Sequence, residues 1–232
     1  MIRFLLPYLL LCTCGPAQPP PPALQDGFPV VAEPAPQPAP PTPKPLDYDT
    51  SAWTELTRIA PTIALEIRYA TENNFMERTI YDCGRCFYRP EVARAMAAAQ
   101  QELNARGLGL KMYDCYRPRP YQQRLWEVMP DARYVARPER GSVHSRGAAA
   151  DLTLIHLDSG VELDMGTPYD FFGERAYTTT TNLPAEVLHN RAILQEVMRR
   201  HGFATIRTEW WHFNFLGPRY ALSDWVWECP KG

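Results

Sequence analysis

Two short stretches hold the residue types that hydrolytic metal chemistry needs. Ser142-Val143-His144-Ser145-Arg146-Gly147-Ala148-Ala149-Ala150-Asp151 sets a histidine and an aspartate seven positions apart. Glu209-Trp210-Trp211-His212 sets a glutamate and a histidine three apart. Two imidazoles, one ligating carboxylate and one spare carboxylate are the components of a hydrolytic zinc centre. Three protein ligands leave a fourth tetrahedral position open, and water held there has its pKa lowered to ~7.

A lone histidine is more often structural than ligating, and the other three have structural explanations. His201 closes a helical pattern, where an imidazolium meets the negative end of the dipole. His189 sits mid-helix beside Asn190 and Arg191, which reads as a solvated face. His156 follows Asp151 by five positions, an odd separation that turns it to the opposite strand face. His144 and His212 remain. A glycosidase built on Asp151 and Glu209 as paired carboxylates would leave both of them unexplained. Glu209 and His212 pose a difficulty, because strand residues three apart face opposite sides. For both to serve one centre, the strand must begin near Trp210 or carry a bulge there.

The elements that must carry these residues follow from the pattern. Ala148 to Ile155 reads as a strand, with Asp151 and Thr153 on a polar, site-facing side and Ala150, Leu152 and Leu154 on the core side. Gly147 permits the turn that brings His144 to it. Thr62 to Tyr69 alternates as a strand, Leu110 to Tyr113 is a shorter one, and Phe203–Arg207 with Glu209–Phe215 form a final pair. Helices are expected from Pro90 to Arg106, around Tyr121 to Val128, and from Pro184 to Arg200, the first and last closed by glycine. Residues 130–147 lack periodicity and read as a surface loop. The expected fold is α+β, with helices packed on a small, mainly antiparallel sheet.

Thirteen of the 24 prolines lie between Pro16 and Pro45, in a segment without apolar periodicity, so residues 15–48 read as a linker and 49–232 as one domain. Residues 1–14, MIRFLLPYLLLCTC, resemble a secretory leader. Leu11-Cys12-Thr13-Cys14 resembles a degenerate lipoprotein box, with Thr13 where a smaller residue is usual; membrane anchoring through a Cys14 lipid and simple cleavage both stay open. Export to the periplasm or cell envelope favours disulfides among Cys83, Cys86, Cys115 and Cys229 over a metal or redox CxxC, with Cys86 to Cys115 the expected pair. A formal net charge of -2 gives no reason to expect nucleic acid as a partner.

With SVHSRGAAAD, EWWHF and the intervening DCYRPRP in place, the sequence resembles the D-alanyl-D-alanine dipeptidases of the VanX type, zinc D,D-peptidases sharing SxHxxGxAxD and ExxH motifs. IRYATENNF and MGTPYDFFGERA add to the likeness, which runs from about Glu66 to Phe215. The resemblance implies a Hedgehog/D,D-peptidase-like fold with the zinc site at the sheet face. It implies one zinc ion on His144, Asp151 and His212, Glu209 as general base, and Arg117 facing the oxyanion, with Arg119 as rival. It also implies Asp170 at the substrate ammonium, Tyr69 beside it and Ser142 lining the pocket. Small D-amino-acid peptides are then the expected substrates. The leader, the proline tether, the cysteines and a shorter segment between Arg117 and His144 depart from the intracellular forms. Two other readings stay open: a D,D-carboxypeptidase or endopeptidase on longer stem peptides, and a non-catalytic zinc module that binds cell wall.

Overall fold

The computed structural model describes residues 15, 18–20, 45–132 and 135–230. The expected leader, with Cys14, and most of the proline-rich linker lie outside the described residues. From Lys44 onward the chain forms one unit. It opens with β1 (Thr54–Glu55), α1 (Leu56–Ile59), β2 (Ala64–Leu65) and β3 (Phe87–Tyr88). Then come α2 (Pro90–Asn104), β4 (Leu108–Asp114), α3 (Arg119–Val128) and β5 (Ala149–His156). The last elements are α4 (Ala185–Arg200), β6 (Phe203–Ile206) and β7 (Glu209–Phe215).

Five strands form one sheet in the order β2-β4-β5-β7-β6, and β1 pairs with β3 apart from it. Only the β2–β4 pair is parallel, so the expected α+β class with a mainly antiparallel sheet matches the architecture. α2 begins with proline in its first turn, where the missing N–H has no helical acceptor, and the chain leaves it through Gly107 at φ 71°. α4 likewise follows Pro184 and is left through Gly202 at φ 84°. Both helices turn apolar stripes inward, Val92, Met96 and Leu103 from α2 and Val187, Leu194 and Val197 from α4. Leu110 pairs with Leu154 and Met112 with Leu152 across β4 and β5, and all four are fully buried.

Three expectations change. The strand expected over residues 62–69 shrinks to Ala64–Leu65, and a 3-10 turn, Arg68–Ala70, follows it. Ile63, Ile67 and Tyr69 are buried and Leu65 half-buried, but the chain leaves the sheet edge and the Tyr69 carbonyl accepts the N–H groups of Ile80 and Tyr81 instead. The polar side of β5 faces the cleft at Asp151 as expected, but at Thr153 it is buried, because the connection after β5 folds back, with Leu163 N–H donating to the Leu154 carbonyl. Within the loop over 130–147, Val135 is buried and His144–Arg146 form a 3-10 turn, so it is not all surface. Two disulfides tie the unit, the expected Cys86–Cys115 and a second, Cys83–Cys229. The second fastens the C-terminal tail, whose Trp227 is buried near Tyr81, Phe87 and Tyr121.

Candidate metal centre and cleft

Asp151 on β5 and His212 on β7 are direct partners across the antiparallel ladder. His144 reaches them from the 3-10 turn before β5. That turn needs glycine at 147 twice over. Its φ is 70°, and a Cβ there would stand 2.6 Å from the Trp53 ring.

The three inward-facing atoms form a small triangle. His212 Nδ1 lies 2.9 Å from Asp151 Oδ1, His144 Nε2 lies 3.3 Å from His212 Nδ1, and His144 Nε2 lies 3.4 Å from Asp151 Oδ1. Ligands at about 2.0–2.1 Å from a tetrahedral ion are separated by about 3.3 Å, so the triangle has the size of one face of a zinc tetrahedron. The outward nitrogens are committed elsewhere. His144 Nδ1 lies 2.8 Å from the Cys115 carbonyl and His212 Nε2 2.9 Å from Asn214 Oδ1, so each donates there and turns its lone pair inward. The second Asp151 oxygen accepts a hydrogen bond from Tyr169 Oη at 3.1 Å. His144, Asp151 and His212 are the one group of ligand-type side chains that converges in this way among the described residues.

Burial alone would raise the Asp151 carboxyl, but the His144 and His212 imidazoles outweigh it and hold it well below the usual range. Burial would lower the His212 imidazole, and Asp151 raises it instead. One carboxylate thus sits between two imidazoles among buried side chains, the chemistry of a divalent-cation site.

Glu209 joins the cluster because β7 breaks register. Thr205 faces Phe213, yet the next residue, Ile206, faces Glu209, leaving Trp210, Trp211 and His212 without partners on β6. The irregularity lies where shared use of Glu209 and His212 required one. Glu209 Oε2 comes to 3.9 Å from His212 Nδ1. Burial pushes its carboxyl above the usual range, with His212 opposing.

Arg117 is buried on the facing wall. Its Nε and Nη2 donate to Asp114 Oδ2 at 2.9 and 2.6 Å, and Nη1 donates to Gln122 Oε1 at 3.0 Å. Asp114 is itself fixed by the Tyr81 hydroxyl at 2.7 Å and the Cys115 N–H at 2.9 Å. A guanidinium has five N–H donors, so one remains on each terminal nitrogen. Arg119 points elsewhere, into an exposed ion pair with Asp224.

The cleft encloses about 150 Å³ and is lined by all eight residues singled out in the sequence: Tyr69, Arg117, Ser142, His144, Asp151, Asp170, Glu209 and His212. Asp170 adopts φ 58°, a left-handed conformation that aspartate tolerates better than most residues, and Tyr69 Oη donates to its Oδ2 at 3.1 Å. Burial pushes the Asp170 carboxyl well up, and the charge on Asp151 adds to it. Ser142 Oγ accepts the His144 N–H at 3.2 Å. The remaining histidines stand apart: His156 and His189 are exposed, and His201 pairs with Glu102 at 2.9 Å. Sequence reasoning missed Asp114, Tyr169 and Asn214. Two signals were available, Asn214 at i+2 from His212 on one strand face and Tyr169 next to Asp170.

The Peptidase_M15 family profile, described as D-ala-D-ala dipeptidase, matches residues 49–226. The chain is 38% identical over 165 residues, 71% of its length and 85% of the relative's, to the D-alanyl-D-alanine dipeptidase of Escherichia coli (strain K12). To the Enterococcus faecalis protein of the same name it is 33% identical over 175 residues, 67% of this chain and 87% of that one. To the one from Enterococcus faecium it is 30% identical over 196 residues, 74% and 95% of the two chains.

Proposed function

The chain belongs to the Peptidase_M15 D-Ala-D-Ala dipeptidase family, and from that premise we propose a VanX-type zinc dipeptidase that cleaves D-Ala-D-Ala in the cleft around His144, Asp151 and His212. The single observation that carries this reading is convergence: a tetrahedron-sized ligand triangle, a carboxylate beside it and a half-committed guanidinium face one small space. Zinc bound there would supply Lewis acidity and an acidified water.

The chain's own residues do the rest. Glu209 takes the proton of the attacking water as the new C–O bond forms and delivers it to the amine as the C–N bond breaks. Such transfer is worth roughly 10²–10⁴-fold. Its raised carboxyl brings donor and acceptor closer in proton affinity. The two uncommitted Arg117 N–H groups offer a bidentate cradle to the developing oxyanion. Asp170, held by Tyr69, receives the substrate ammonium, and Ser142 borders the cleft.

A cleft of about 150 Å³ with a buried carboxylate suits a short substrate with a free amine. A D,D-carboxypeptidase or endopeptidase would need the stem peptide to leave past Asp170. Rates on D-Ala-D-Ala and on an N-blocked pentapeptide, with and without chelator, decide between them. Equal or greater activity on the blocked peptide overturns the dipeptidase reading, and full activity after chelation overturns the metal. Envelope localisation rests on the leader-like residues 1–14 and is supported by two disulfides in a compact domain. The linker over 15–48 would then tether a catalytic domain beginning at residue 49, with Cys14 lipidated or the leader simply removed.

A further inference from the structure

Helix α4 carries a polar pair on its inward face. By sequence, His189, Asn190 and Arg191 read as one solvated face; His189 is exposed, but Asn190 and Arg191 are only 6% and 4% exposed. They follow Val187 and precede Leu194 by three or four residues, inside the stripe that faces the core. An apolar residue would complete that stripe without desolvating a charge. What the Arg191 guanidinium contributes therefore lies in what it binds.

It binds both ends of one loop. Arg191 Nε donates to the Met165 carbonyl at 2.8 Å, Nη2 to the Arg175 carbonyl at 2.9 Å and Nη1 to the Tyr177 carbonyl at 3.3 Å. Beside it, Asn190 Nδ2 donates to the Asp164 carbonyl at 3.0 Å. The loop enters tight against α4 through Gly166, whose φ is 80° and where a Cβ would stand 2.8 Å from Val187 Cγ1. A guanidinium spreads its donors over a rigid plane, so one side chain reaches carbonyls on two chain segments. A lysine ammonium offers its donors from a single point.

The loop between those ends carries cleft residues. Tyr169 donates to Asp151, Asp170 accepts from Tyr69, and Phe172 lines the cleft. Its middle is tied to β7, where the Trp210 indole N–H donates to Thr167 Oγ at 2.7 Å, and the Trp210 ring lies 5.8 Å from the Arg191 guanidinium. Asp170 holds φ 58°, a conformation that persists where the surrounding structure fixes the chain on both sides. The three metal-ligand candidates stand outside the loop, on β5, β7 and the turn before β5. We infer that Arg191 is a positioning residue for substrate binding: by clamping both ends of the loop over 166–174, it sets Asp170 where the ammonium of a dipeptide lying on the metal cluster will meet it. The substrate in this role comes from the dipeptidase reading, and the clamp from the geometry alone.

The test is steady-state kinetics on D-Ala-D-Ala with the zinc-loaded full chain. Arg191→Lys keeps the charge and loses the planar fork. It should raise KM roughly ten- to a hundredfold, the scale of a misplaced binding group. Its kcat should stay within about threefold of wild type, and elemental analysis should still find one zinc per chain. Action through Asp170 requires non-additivity: in an Asp170→Asn background, Arg191→Lys should change KM by less than about twofold. Fully additive effects, or a fall in kcat with KM unchanged, would make Arg191 a general structural residue and overturn the role. Asn190→Ala frees only the Asp164 carbonyl and should raise KM about two- to tenfold. It decides the question if Arg191→Lys does not fold, and an unchanged KM there overturns the role. If wild type does not turn over D-Ala-D-Ala, the dipeptidase reading falls and hydrogen exchange judges the clamp. The amides of 166–174 should then exchange faster in Arg191→Lys than in wild type, while those of β5 and β7 keep their protection. Equal exchange in the loop overturns the clamp.

Discussion

Replacing Arg117 by lysine separates the geometry of the guanidinium from its charge. Three of its N–H groups go to Asp114 and Gln122, leaving one on each terminal nitrogen for the cleft. Lysine keeps the positive charge beside Asp114, but its single ammonium cannot hold Asp114 and Gln122 and also present two parallel donors. Removing one oxyanion donor typically costs 10²–10³-fold in kcat, about 2.7–4 kcal/mol. Arg117→Lys should therefore lower kcat for D-Ala-D-Ala by at least ~10²-fold, with melting little changed. Arg117→Ala also strips the guanidinium paired with Asp114, whose side chain is fully buried. Breaking such a pair costs about 3–5 kcal/mol. At about 2–4 °C per kcal/mol for a domain of this size, Tm should fall by roughly 6–20 °C. Steady-state kinetics and thermal unfolding on both variants supply the numbers. An Arg117→Lys enzyme within threefold of wild-type kcat would refute the oxyanion role, and an Arg117→Ala protein that melts with wild type would refute the buried-pair argument.

Glu209→Gln should lower kcat by roughly 10²–10⁴-fold while elemental analysis still finds one zinc per chain; metal loss in this variant would make Glu209 a ligand instead. Burial raises the Asp170 carboxyl in the folded state, so the fold favours its protonated form. In metal-free protein, stability should fall as pH rises from the ordinary aspartate pKa of about 3.9 through the raised value. Asp170→Asn should remove that slope in melting curves and raise KM, and identical pH profiles would refute the assignment. Loss of Cys86–Cys115, which closes 29 residues of chain, should cost about 3.6 kcal/mol on loop entropy, and loss of Cys83–Cys229, closing 146, about 5 kcal/mol. Because the Cys115 carbonyl holds His144 Nδ1, the smaller loss should carry the larger drop in zinc affinity, measured by chelator competition.

Two of the three candidate ligands, Asp151 and His212, were legible on strand patterns, and His144 on the short turn that leads into β5. Apolar alternation around Asp151 marks β5, and glycine after His144 marks the turn into it. α2 and α4 were legible from proline at their starts and glycine beyond their ends. The strand expected over 62–69 failed because burial alternates along any extended segment lying on a core, paired or not. Strand pairing depends on β4, which pairs with Ala64 and Leu65 and accepts a last N–H from Glu66 at the Met112 carbonyl before the chain turns away. Local pattern is equally silent about the supports. Asp114 reads as a strand-end charge until Tyr81, 33 residues away, donates to it. Tyr169 finds Asp151 only when the long connection folds over the sheet.

What joins the site into one device is the pair of irregularities flanking β5. On one side β4 shifts register between Met112 and Asp114, so that Asp114 rather than Tyr113 faces Asp151. On the other side β7 shifts between its pairings with Thr205 and Ile206, bringing Glu209 and His212 together. A regular strand presents alternate residues to one face, too sparse a supply for five converging polar groups. A bulge bends the strand and re-aims its side chains. With β5 regular and a break in each neighbour at the level of Asp151, the sheet delivers the Asp114–Arg117 pair from one side and Glu209 with His212 from the other. Asp114 Oδ2 also lies 3.6 Å from His144 Nδ1. Arg117 and the His144, Asp151 and His212 cluster therefore meet at a single carboxylate, and a shift of β4 by one residue would move both.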